Sequence, residues 1–511
     1  MIHAVLALAI VFGFRRIRFC LKFFQQVNYF GDRFLRFALH GGQLIDKRVF
    51  IPSAAAAAMF HAWGWPWAPA IACAALALQI AREKNPAKNA IKPLNMTGRA
   101  KRIFYTALTL WCAAVAASLL AGRYYLYCIA GLALMAPAFL IIAKFAVSPV
   151  DRLINQRYIN EAKARLEKFA PTVIGITGSF GKTSVKNILH HILSSYSTSF
   201  TTKRSINVLM GIVRAIREEY NAPTKFFVAE MGIGDVGQMP QLARFLNPSF
   251  GIITAIGAAH LESFKSADRI AREKFRLSAH VARNGGRTLL NGKNIAPEFI
   301  KKYASPNDIV FTGKEISNVA QTADGLSFTL DYEGNHDIFA PIYGIHQAEN
   351  IAVAFITAHS LGISAEAIIT ALKTLKQTEH RLEVRREGGL TVMDDAFNSN
   401  INGFVSALET GAAIKGAERF ILITPGMVEV GALHGEQHKR AGACANRVCD
   451  IVIAVKSDRI KDFTDEIARD KLVRSTSLAS AREWLAANGR PGDVVLYEND
   501  LPDVYIETIK I

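Results

Sequence analysis

Acidic residues are scarce at the start of this chain. Residues 1–150 contain 3 Asp or Glu and 17 Lys or Arg, whereas residues 151–511 contain 40 acidic and 43 basic residues. The high sequence pI of about 9.6 therefore belongs to the first part of the chain. Because the later part has no basic stripe with interleaved aromatic residues, the sequence predicts that nucleic acid is not a partner.

Cysteine motifs that bind metals are also lacking. The six cysteines form neither a C-x-x-C pair nor another metal-ligand spacing; they are Cys20, Cys73, Cys112, Cys128, Cys444 and Cys449. We interpret them as apolar fillers, neither disulfide partners nor ligands, as is typical of a reducing compartment.

Apolar runs dominate the first 150 residues. Residues 103–122 and 124–146 each provide about 20 residues without an acidic group, enough for a helix to cross about 30 Å of hydrocarbon. Residues 51–80 form a third apolar stretch, interrupted by tryptophans beside Gly and Pro, and residues 1–14 form a fourth that we interpret as an uncleaved anchor. The sequence thus predicts that residues 1–150 are an α-helical transmembrane region that anchors the chain, with the lipid bilayer as a partner.

Basic residues cluster beside these runs, in residues 15–48 and 82–102, whereas Arg123 alone lies between the last two runs. The positive-inside rule places both basic segments, and residues 151–511, in the cytoplasm. We therefore expect a multi-pass protein of the inner (cytoplasmic) membrane with its catalytic domains in the cytoplasm. The number of spans stays open, since residues 51–80 are barely long enough to enter the bilayer and return.

A glycine-rich turn at residues 172–184, TVIGITGSFGKTS, separates a β-branched strand from a helical pattern. Five residues lie between Gly175 and Gly181, so the strict G-x4-G-K spacing is not met and the turn is the shorter variant of the loop. Its backbone N–H groups and the helix dipole would cradle phosphate. Lys182 would reach the β/γ-phosphates, and the Thr183 hydroxyl would bind Mg²⁺. The turn therefore predicts a site for a nucleoside triphosphate.

Strand and helix patterns alternate from residue 151 onwards. The first series has predicted strands at residues 173–177, 226–230, 250–256 and 288–291, followed by an antiparallel insertion at residues 320–340. The second series has predicted strands at residues 390–393, 420–424, 451–455 and 494–497. Such alternation is typical of parallel sheets covered by helices. The sequence predicts an α/β fold with a P-loop parallel-sheet central domain, residues 151–381, and a Rossmann-like C-terminal domain, residues 382–511.

Two more polar residues follow strands of the first series. Glu230 ends a strand some 50 residues after the glycine-rich turn, and His260 follows the next strand. The carboxyl ends of parallel strands meet at one edge of a sheet, where a carboxylate can supply a second ligand for Mg²⁺. A lone histidine after a strand is more often structural, but its position at this edge favours a role in the site.

Seven stretches of the chain resemble the Mur ligase family of ATP-dependent amide-bond ligases, and most closely its UDP-N-acetylmuramoyl-tripeptide D-alanyl-D-alanine ligase branch. They occur in the family's order at residues 174–184 (IGITGSFGKTS), 229–232 (AEMG), 259–262 (AHLE), 344–350 (GIHQAEN), 380–381 (HR), 394–400 (DDAFNSN) and 424–431 (TPGMVEVG). This ordered set is far more specific than the glycine-rich turn alone. The resemblance covers residues 151–511.

The resemblance implies a reaction and its participants. ATP would phosphorylate a carboxylate of a cell-envelope, peptidoglycan-like precursor, and the amine of an amino acid or dipeptide would attack the acyl phosphate. The implied cofactors are ATP and two Mg²⁺ ions. The implied partners are the envelope-precursor acceptor and the amino acid or dipeptide donor.

The resemblance also implies roles for single residues. The implied catalytic residues are Lys182, His260, Lys274 and Arg381, with Arg381 meeting the γ-phosphate when the last domain closes. The implied ATP-binding residues are Thr177, Gly178, Ser179, Gly181, Lys182, Thr183, Ser184, Asn350 on the adenine side, Arg381, and Asp395 at the ribose. Thr183, Glu230 and His260 would bind metal. Asn207 would bind the acceptor. Lys274 would be carbamylated and so gain a carboxylate for the second metal, unless it is an exposed helix lysine.

One departure from the family bears on the acceptor. The soluble N-terminal domain that grips the UDP group of the precursor is missing, and apolar helices occupy that end. Our hypothesis is an acceptor other than a soluble UDP-linked peptide, such as a lipid-linked precursor or an envelope polymer. Two alternatives stay open: a polyglutamate-synthase-like ligase of the same family, and a non-catalytic nucleotide-binding membrane scaffold. Retention of Lys182, Thr183, Glu230, His260 and Arg381 argues against the scaffold.

Overall fold

Residues 1–27, 29–40, 47–83, 93–257, 264–396, 401–427 and 433–499 are described by a computed structural model of the chain. Their contacts divide the chain after Gln156 into a first unit, Met1–Gln156, and a second unit that begins at Arg157. The two units are described separately below.

The first unit is helical. Its helices are Ile2–Gln26 (α1), Gly31–His40 (α2), Lys47–Trp63 (α3), Ala68–Arg82 (α4), Gly98–Ala117 (α5), Tyr125–Leu134 (α6) and the start of Ala136–Phe169 (α7), with a 3₁₀ turn at Ser118–Tyr124. The indole N–H of Trp111 on α5 donates a hydrogen bond of 3.0 Å to the Ala9 carbonyl on α1. Arg16 and Glu83 form a buried ion pair of 2.9 Å. Apolar packing and buried polar contacts thus hold this unit together.

The prediction of a multi-pass inner-membrane protein is wrong. Within the described ranges, one helical segment, Gly98–Leu134, is long and apolar enough to cross a bilayer, with a mean hydropathy of 1.9 over its most apolar window. The other apolar helices, Val49–Trp63 and Ala68–Arg82, are shorter than a span. The physical reason is chain interruption: the Trp-rich turn divides residues 51–80 into α3 and α4, and α6 stops at Leu134. The transmembrane character assigned to residues 1–150, and the bilayer as partner, are therefore not supported.

The second unit begins with a six-stranded parallel sheet. Its strands are Thr172–Thr177 (β1), Ser199–Thr201 (β2), Phe226–Glu230 (β3), Phe250–Ile253 (β4), Arg287–Asn291 (β5) and Ile309–Phe311 (β6), in the spatial order β2-β3-β1-β4-β5-β6. Alternate residues of β1 face opposite layers of helices. Ile174 and Ile176 pack against Lys182–Tyr196 (α8) and a later helix, Gln347–Ser360, whereas Val173 packs on the opposite face.

Helices and a small sheet complete this part of the unit. The helices are Leu209–Glu218 (α9), Gln238–Leu246 (α10), Ala267–Arg283 (α11), Pro297–Tyr303 (α12), Gln347–Ser360 (α13) and Ala365–Leu372 (α14). Strands Ile316–Gln321 (β7), Leu326–Asp331 (β8) and Asn335–Ala340 (β9) form an antiparallel sheet. The predicted antiparallel insertion is thereby confirmed.

A second six-stranded sheet follows. Its strands are Glu383–Glu387 (β10), Leu390–Asp395 (β11), Phe420–Thr424 (β12), Ile451–Val455 (β13), Leu472–Ser475 (β14) and Val494–Glu498 (β15), in the order β10-β11-β15-β12-β13-β14. Only β10 is antiparallel to its neighbour. Helices Ile401–Ile414 (α15), His434–Val448 (α16), Lys461–Thr464 (α17) and Leu478–Asn488 (α18) accompany it. The predicted α/β fold is confirmed, while the short strands β2, β6, β10 and β14 were not predicted because they lack a long apolar pattern.

The contact between α1 and α5 gives a test of the helical unit. A Cβ atom on Gly13 would lie 2.1 Å from the Trp111 indole nitrogen, whereas a Cβ on Gly131 would meet nothing within 4 Å. We expect Gly13→Ala to lower the free energy of unfolding by about 1–3 kcal/mol, because a buried indole must shift. Gly131→Ala should leave it unchanged or raise it by about 0.5–1 kcal/mol, since alanine favours helix. Urea unfolding of the full chain measures both, and equal effects would contradict this packing.

Candidate active site

The glycine-rich turn lies between β1 and α8. Gly178 and Gly181 have φ angles of 155° and 80°, which side-chain-bearing residues rarely adopt. A Cβ on Gly178 would lie 1.9 Å from the Thr254 hydroxyl oxygen. Lys182 Nζ donates to the Gly178 carbonyl at 2.8 Å, so the lysine folds back over the turn. Burial lowers the pKa of Lys182, and the nearby Glu230 carboxylate opposes that shift.

The segment after β4 clamps this turn. The Thr254 hydroxyl donates to the Phe180 carbonyl, and Ser179 N–H donates to the Ala255 carbonyl at 2.9 Å. The Ser179 hydroxyl in turn accepts from Gly257 N–H at 2.9 Å. Residues far apart in sequence therefore fix the shape of the turn before any ligand binds, which lowers the entropic cost of binding phosphate.

Glu230, at the end of β3, lies beside the turn. Its side chain is 1% exposed. One carboxylate oxygen accepts from the Thr183 hydroxyl at 2.9 Å, and the other accepts from the Asn207 amide at 2.9 Å. The structure thus brings together three of the predicted residues, Thr183, Glu230 and Asn207, around one carboxylate. The Asn207 carbonyl also accepts from Gly232 N–H at 2.8 Å, which fastens the Asn207 loop to the segment that follows β3.

Lys186 belongs to the same cluster and was missed in the sequence. Its ammonium is fully buried, 3.9 Å from Glu230, and donates to the carbonyls of Thr202, at 2.8 Å, and Arg204. Burial lowers its pKa, and the Glu230 charge counteracts this. The available signal was a lysine one turn after Lys182, among the apolar residues of α8 that face the sheet.

Lys274 lies on α11 and is 3% exposed. Burial lowers its pKa well below the usual value, and the positive charge of Lys182 adds to the effect. A buried amine, whose neutral form is favoured by burial, is therefore present where the sequence left an exposed helix lysine as the alternative. The exposed alternative is wrong.

Arg381 reaches the same site from the segment that precedes β10. Burial lowers its pKa, whereas Asp395 and Glu230 favour the charged form; its charge in turn depresses the pKa of Lys182. Ser184, Asn187, Gln347, Thr378 and Arg381 line a pocket next to α8. Asn187 of α8 donates to the Thr378 hydroxyl at 3.1 Å, and the Thr378 carbonyl accepts from Arg381 N–H at 3.1 Å.

Asp395 and Asn350 flank this region. Burial raises the pKa of Asp395 to about 6, against the effect of the Arg381 charge. One Asp395 oxygen accepts from Leu382 N–H at 3.2 Å. Asn350, on α13, donates to Gln347 at 2.8 Å, and its oxygen would lie 3.0 Å from a Cβ on Gly181. Both predicted residues therefore lie near the phosphate loop or Arg381.

Two predicted site residues remain, Thr177 and His260. The Thr177 hydroxyl is buried and has no hydrogen-bond partner in the part of the chain that the structure describes. His260 lies outside the described residues. His346, which was not singled out from the sequence, pairs its Nδ1 with the Ser406 hydroxyl at 2.8 Å, and burial lowers its pKa to about 4. It links the start of α13 to α15.

Curated relatives of this chain are UDP-N-acetylmuramoyl-tripeptide–D-alanyl-D-alanine ligases. The Bacillus subtilis protein is 26% identical over 356 residues, which are 66% of this chain and 75% of the relative. The Mycobacterium tuberculosis protein is 29% identical over 360 residues, 64% of this chain and 69% of the relative. The Escherichia coli protein is 27% identical over 287 residues, 53% of this chain and 62% of the relative.

Solved structures share the fold of the second unit. MurF ligase from Thermotoga maritima in complex with ADP has a TM-score of 0.60 and 23% identity, covering 70% of this chain and 82% of that one. Folylpolyglutamate synthase of Mycobacterium tuberculosis, complexed with ADP and AMPPCP, has a TM-score of 0.53 and 15% identity, covering 71% and 97%.

Family matches cover more than half of the chain. Residues 176–358 match the Mur ligase middle domain, and residues 380–497 match a domain described as Mur ligase, glutamate ligase domain. The residues around Glu230, Lys274 and Arg381 all fall inside these two matches. The chain therefore belongs to the Mur ligase family of ATP-dependent amide-bond ligases.

Proposed function

We propose that this chain joins a carboxylate of a peptidoglycan-like envelope precursor to the amine of an amino acid or dipeptide through an acyl phosphate. One observation carries the proposal: the Thr183 hydroxyl and the Glu230 carboxylate meet at 2.9 Å beside Lys182 and the glycine-rich turn. The hydroxyl and the carboxylate are the oxygen ligands that Mg²⁺ prefers, and they adjoin a phosphate cradle.

The residues present fit ATP. A side chain at Gly178 would collide with Thr254, so glycine is needed for the turn to pack against the segment after β4 in this shape. The phosphates would be held by the residues of the turn: Thr177, Gly178, Ser179, Gly181, Lys182, Thr183 and Ser184. Asn350 would lie on the adenine side, Asp395 would bind the ribose, and Arg381 would meet the γ-phosphate. The buried Thr177 hydroxyl, without a partner among the described residues, can be satisfied by such a ligand.

The residues also fit a divalent ion. Thr183 and Glu230, with His260, would hold Mg²⁺, which neutralises phosphate charge when bound. Glu230 keeps two partners, Asn207 and Lys186, if the Thr183 hydroxyl turns to a metal. Lys274 would form a carbamate with CO₂ and release a proton, because burial favours its neutral, nucleophilic form.

The chain's side chains would act by position and charge. An acceptor carboxylate oxygen attacks the γ-phosphorus, the bond to the β–γ bridging oxygen breaks, and ADP leaves. Lys182 and Arg381 stabilise the negative charge on the transferred group. The donor amine then attacks the acyl carbon, loses its proton, and inorganic phosphate leaves.

The part of the chain outside the family matches supports our proposal for the acceptor. The curated relatives are named for UDP-N-acetylmuramoyl-tripeptide and D-alanyl-D-alanine. Residues 1–175 of this chain fall outside the family matches, and residues 1–156 form the helical unit. We therefore assign residues 1–150 to an accessory helical region, 151–381 to the ATP-binding domain and 382–511 to the domain that selects the amine. The acceptor is an envelope precursor other than the soluble UDP-linked peptide, bound on its peptide side near Asn207.

Phosphate release tests this function. The full chain is incubated with ATP, Mg²⁺ and D-alanyl-D-alanine, with either UDP-N-acetylmuramoyl-tripeptide or a bacterial envelope extract as the acceptor source. We expect release that requires both acceptor and amine, faster with the extract. Lys182→Ala should lower the rate by at least about 100-fold, because a point charge on transferring phosphoryl oxygens is lost. Lys203→Ala, on an exposed loop lysine, is the matched control.

The same assay separates the alternatives. Full turnover with the UDP-linked peptide would contradict the proposed acceptor but not the reaction. Release that requires glutamate and yields a polymer would favour the polyglutamate-synthase-like ligase. ATP binding without amine-dependent release across a broad panel of acceptors would favour a non-catalytic nucleotide-binding protein and refute the ligase.

The buried ion pair at Glu230 predicts a stability effect. Lys186→Met should lower the free energy of unfolding by about 3 kcal/mol, because it leaves a buried carboxylate without its cation. Lys203→Met removes a lysine whose side chain is 76% exposed and pairs with Glu219 at 3.1 Å. This substitution should change the free energy of unfolding by about 0.5 kcal/mol or less. Urea unfolding compares the two; similar shifts would show that Lys186 does not compensate Glu230.

A carbamate on Lys274 is directly observable. With carbon-13-labelled bicarbonate at mildly alkaline pH, the full chain should show a carbamate carbon signal by NMR, because burial favours the neutral form of this amine. Lys274→Met should remove the signal, whereas Lys301→Met, at an exposed helix lysine, should not. A signal that survives in Lys274→Met would assign the carbamate elsewhere.

A further inference from the structure

Arg381 is flanked by two residues in an unusual backbone conformation. His380 and Leu382 have φ angles of 57° and 55°, in the left-handed region. Residues that carry a side chain visit this region sparsely, and β-carbon crowding makes it unfavourable. Such conformations persist where surrounding contacts impose them, and they cluster at functional sites. The two residues therefore need partners that hold them.

Both partners come from two consecutive aspartates at the end of β11. His380 Nδ1 lies 2.8 Å from an Asp394 carboxylate oxygen, and Leu382 N–H donates to Asp395 at 3.2 Å. Each carboxylate thus fixes one of the two left-handed residues. Asp394 is itself buried. It accepts hydrogen bonds from Ala396 N–H at 3.1 Å and from the Arg385 guanidinium at 3.3 Å, so it is a rigid partner.

The consequence falls on the residue between them. The bends at 380 and 382 set the direction in which the Arg381 side chain leaves the backbone. Arg381 lines the pocket next to α8 together with Ser184, the last residue of the glycine-rich turn, so its side chain lies beside the phosphate-loop cluster. Its electrostatic effect on the pKa of Lys182 agrees with this position. A relaxed backbone at either flank would turn that side chain elsewhere.

We propose that the contact between His380 and Asp394 is a latch that positions Arg381 toward the γ-phosphate, with Asp395 holding the other flank. His380 and Asp394 are positioning residues, since they act through Arg381 and not on the nucleotide. The latch rests on the proposed role of Arg381 at the γ-phosphate. It assigns a structural reason to the strained segment that joins the two sheets of the second unit.

Nucleotide affinity tests the latch without knowledge of the acceptor. Calorimetry on the full chain with Mg²⁺ measures the dissociation constants of AMPPCP, which has a γ-phosphoryl group, and of ADP, which lacks one. Arg381→Ala should weaken AMPPCP about tenfold, as expected for one charge-assisted contact, and change ADP by less than about twofold. Asp394→Asn and His380→Ala should have the same selective effect, somewhat smaller. Asp331→Asn, at an exposed carboxylate of the three-stranded sheet, is the control and should change neither.

Two comparisons isolate the strain. His380→Gly should retain most AMPPCP affinity where His380→Ala loses it, because glycine adopts the left-handed conformation without a partner. Asp394→Asn should have no further effect when Arg381 is already alanine, because the latch acts only through that side chain. Unchanged ADP affinity shows that each variant is folded.

The outcomes separate the two ideas. If Arg381→Ala does not weaken AMPPCP selectively, the proposed role of Arg381 fails, and the latch with it. If Arg381→Ala does so but His380→Ala and Asp394→Asn do not, the latch alone is refuted. Equal losses for His380→Ala and His380→Gly, or additive losses in the double variant, would also overturn it.

Discussion

A single buried carboxylate organises the second unit. Glu230 is almost inaccessible, yet a hydroxyl and an ammonium from the start of α8, and an amide from the Asn207 loop, satisfy it. A buried carboxylate without such partners would cost several kcal/mol, so α8 and the Asn207 loop must meet where Glu230 lies. The phosphate turn, the Asn207 loop and α8 are thereby tied to the end of one strand, and the geometry of the whole site depends on that meeting.

Burial and neighbouring charges both affect the pKa values of the lysines in this site. Burial lowers the pKa of Lys182, Lys186 and Lys274, while Glu230 favours the charged form of the first two. Burial lowers the pKa of Lys274 well below its usual value, and its charged neighbour Lys182 lowers it further. Glu230 therefore favours the charged form of Lys182 and Lys186, whereas both effects on Lys274 favour its neutral form.

Much of this arrangement could be read from sequence. The strands β1, β3, β12 and β13 are defined by apolar, β-branched runs between turn signals, and the glycine-rich turn follows from local backbone requirements. The sequence also predicted at which edge of the sheet the site lies, because the carboxyl ends of parallel strands meet at one edge. Lys186 escaped because its function depends on Glu230, 44 residues away, and no local pattern reports such a pair. The latch escaped for the same reason, since backbone strain at His380 is visible only in three dimensions.

The prediction of several membrane spans was wrong because it relied on the composition of the apolar runs alone. Apolar content and flanking charge describe what a segment could do, but helix length depends on where the chain turns, and turns at Trp63–Trp67 and after Leu134 divide the runs. The sequence by itself determined the phosphate turn, the sheet-forming runs and the family motifs, because these arise from local conformational preference. Only the tertiary structure decided which charges pair at Glu230, which aspartates hold the Arg381 segment and how long the apolar helices are, because those depend on contacts between residues distant along the chain.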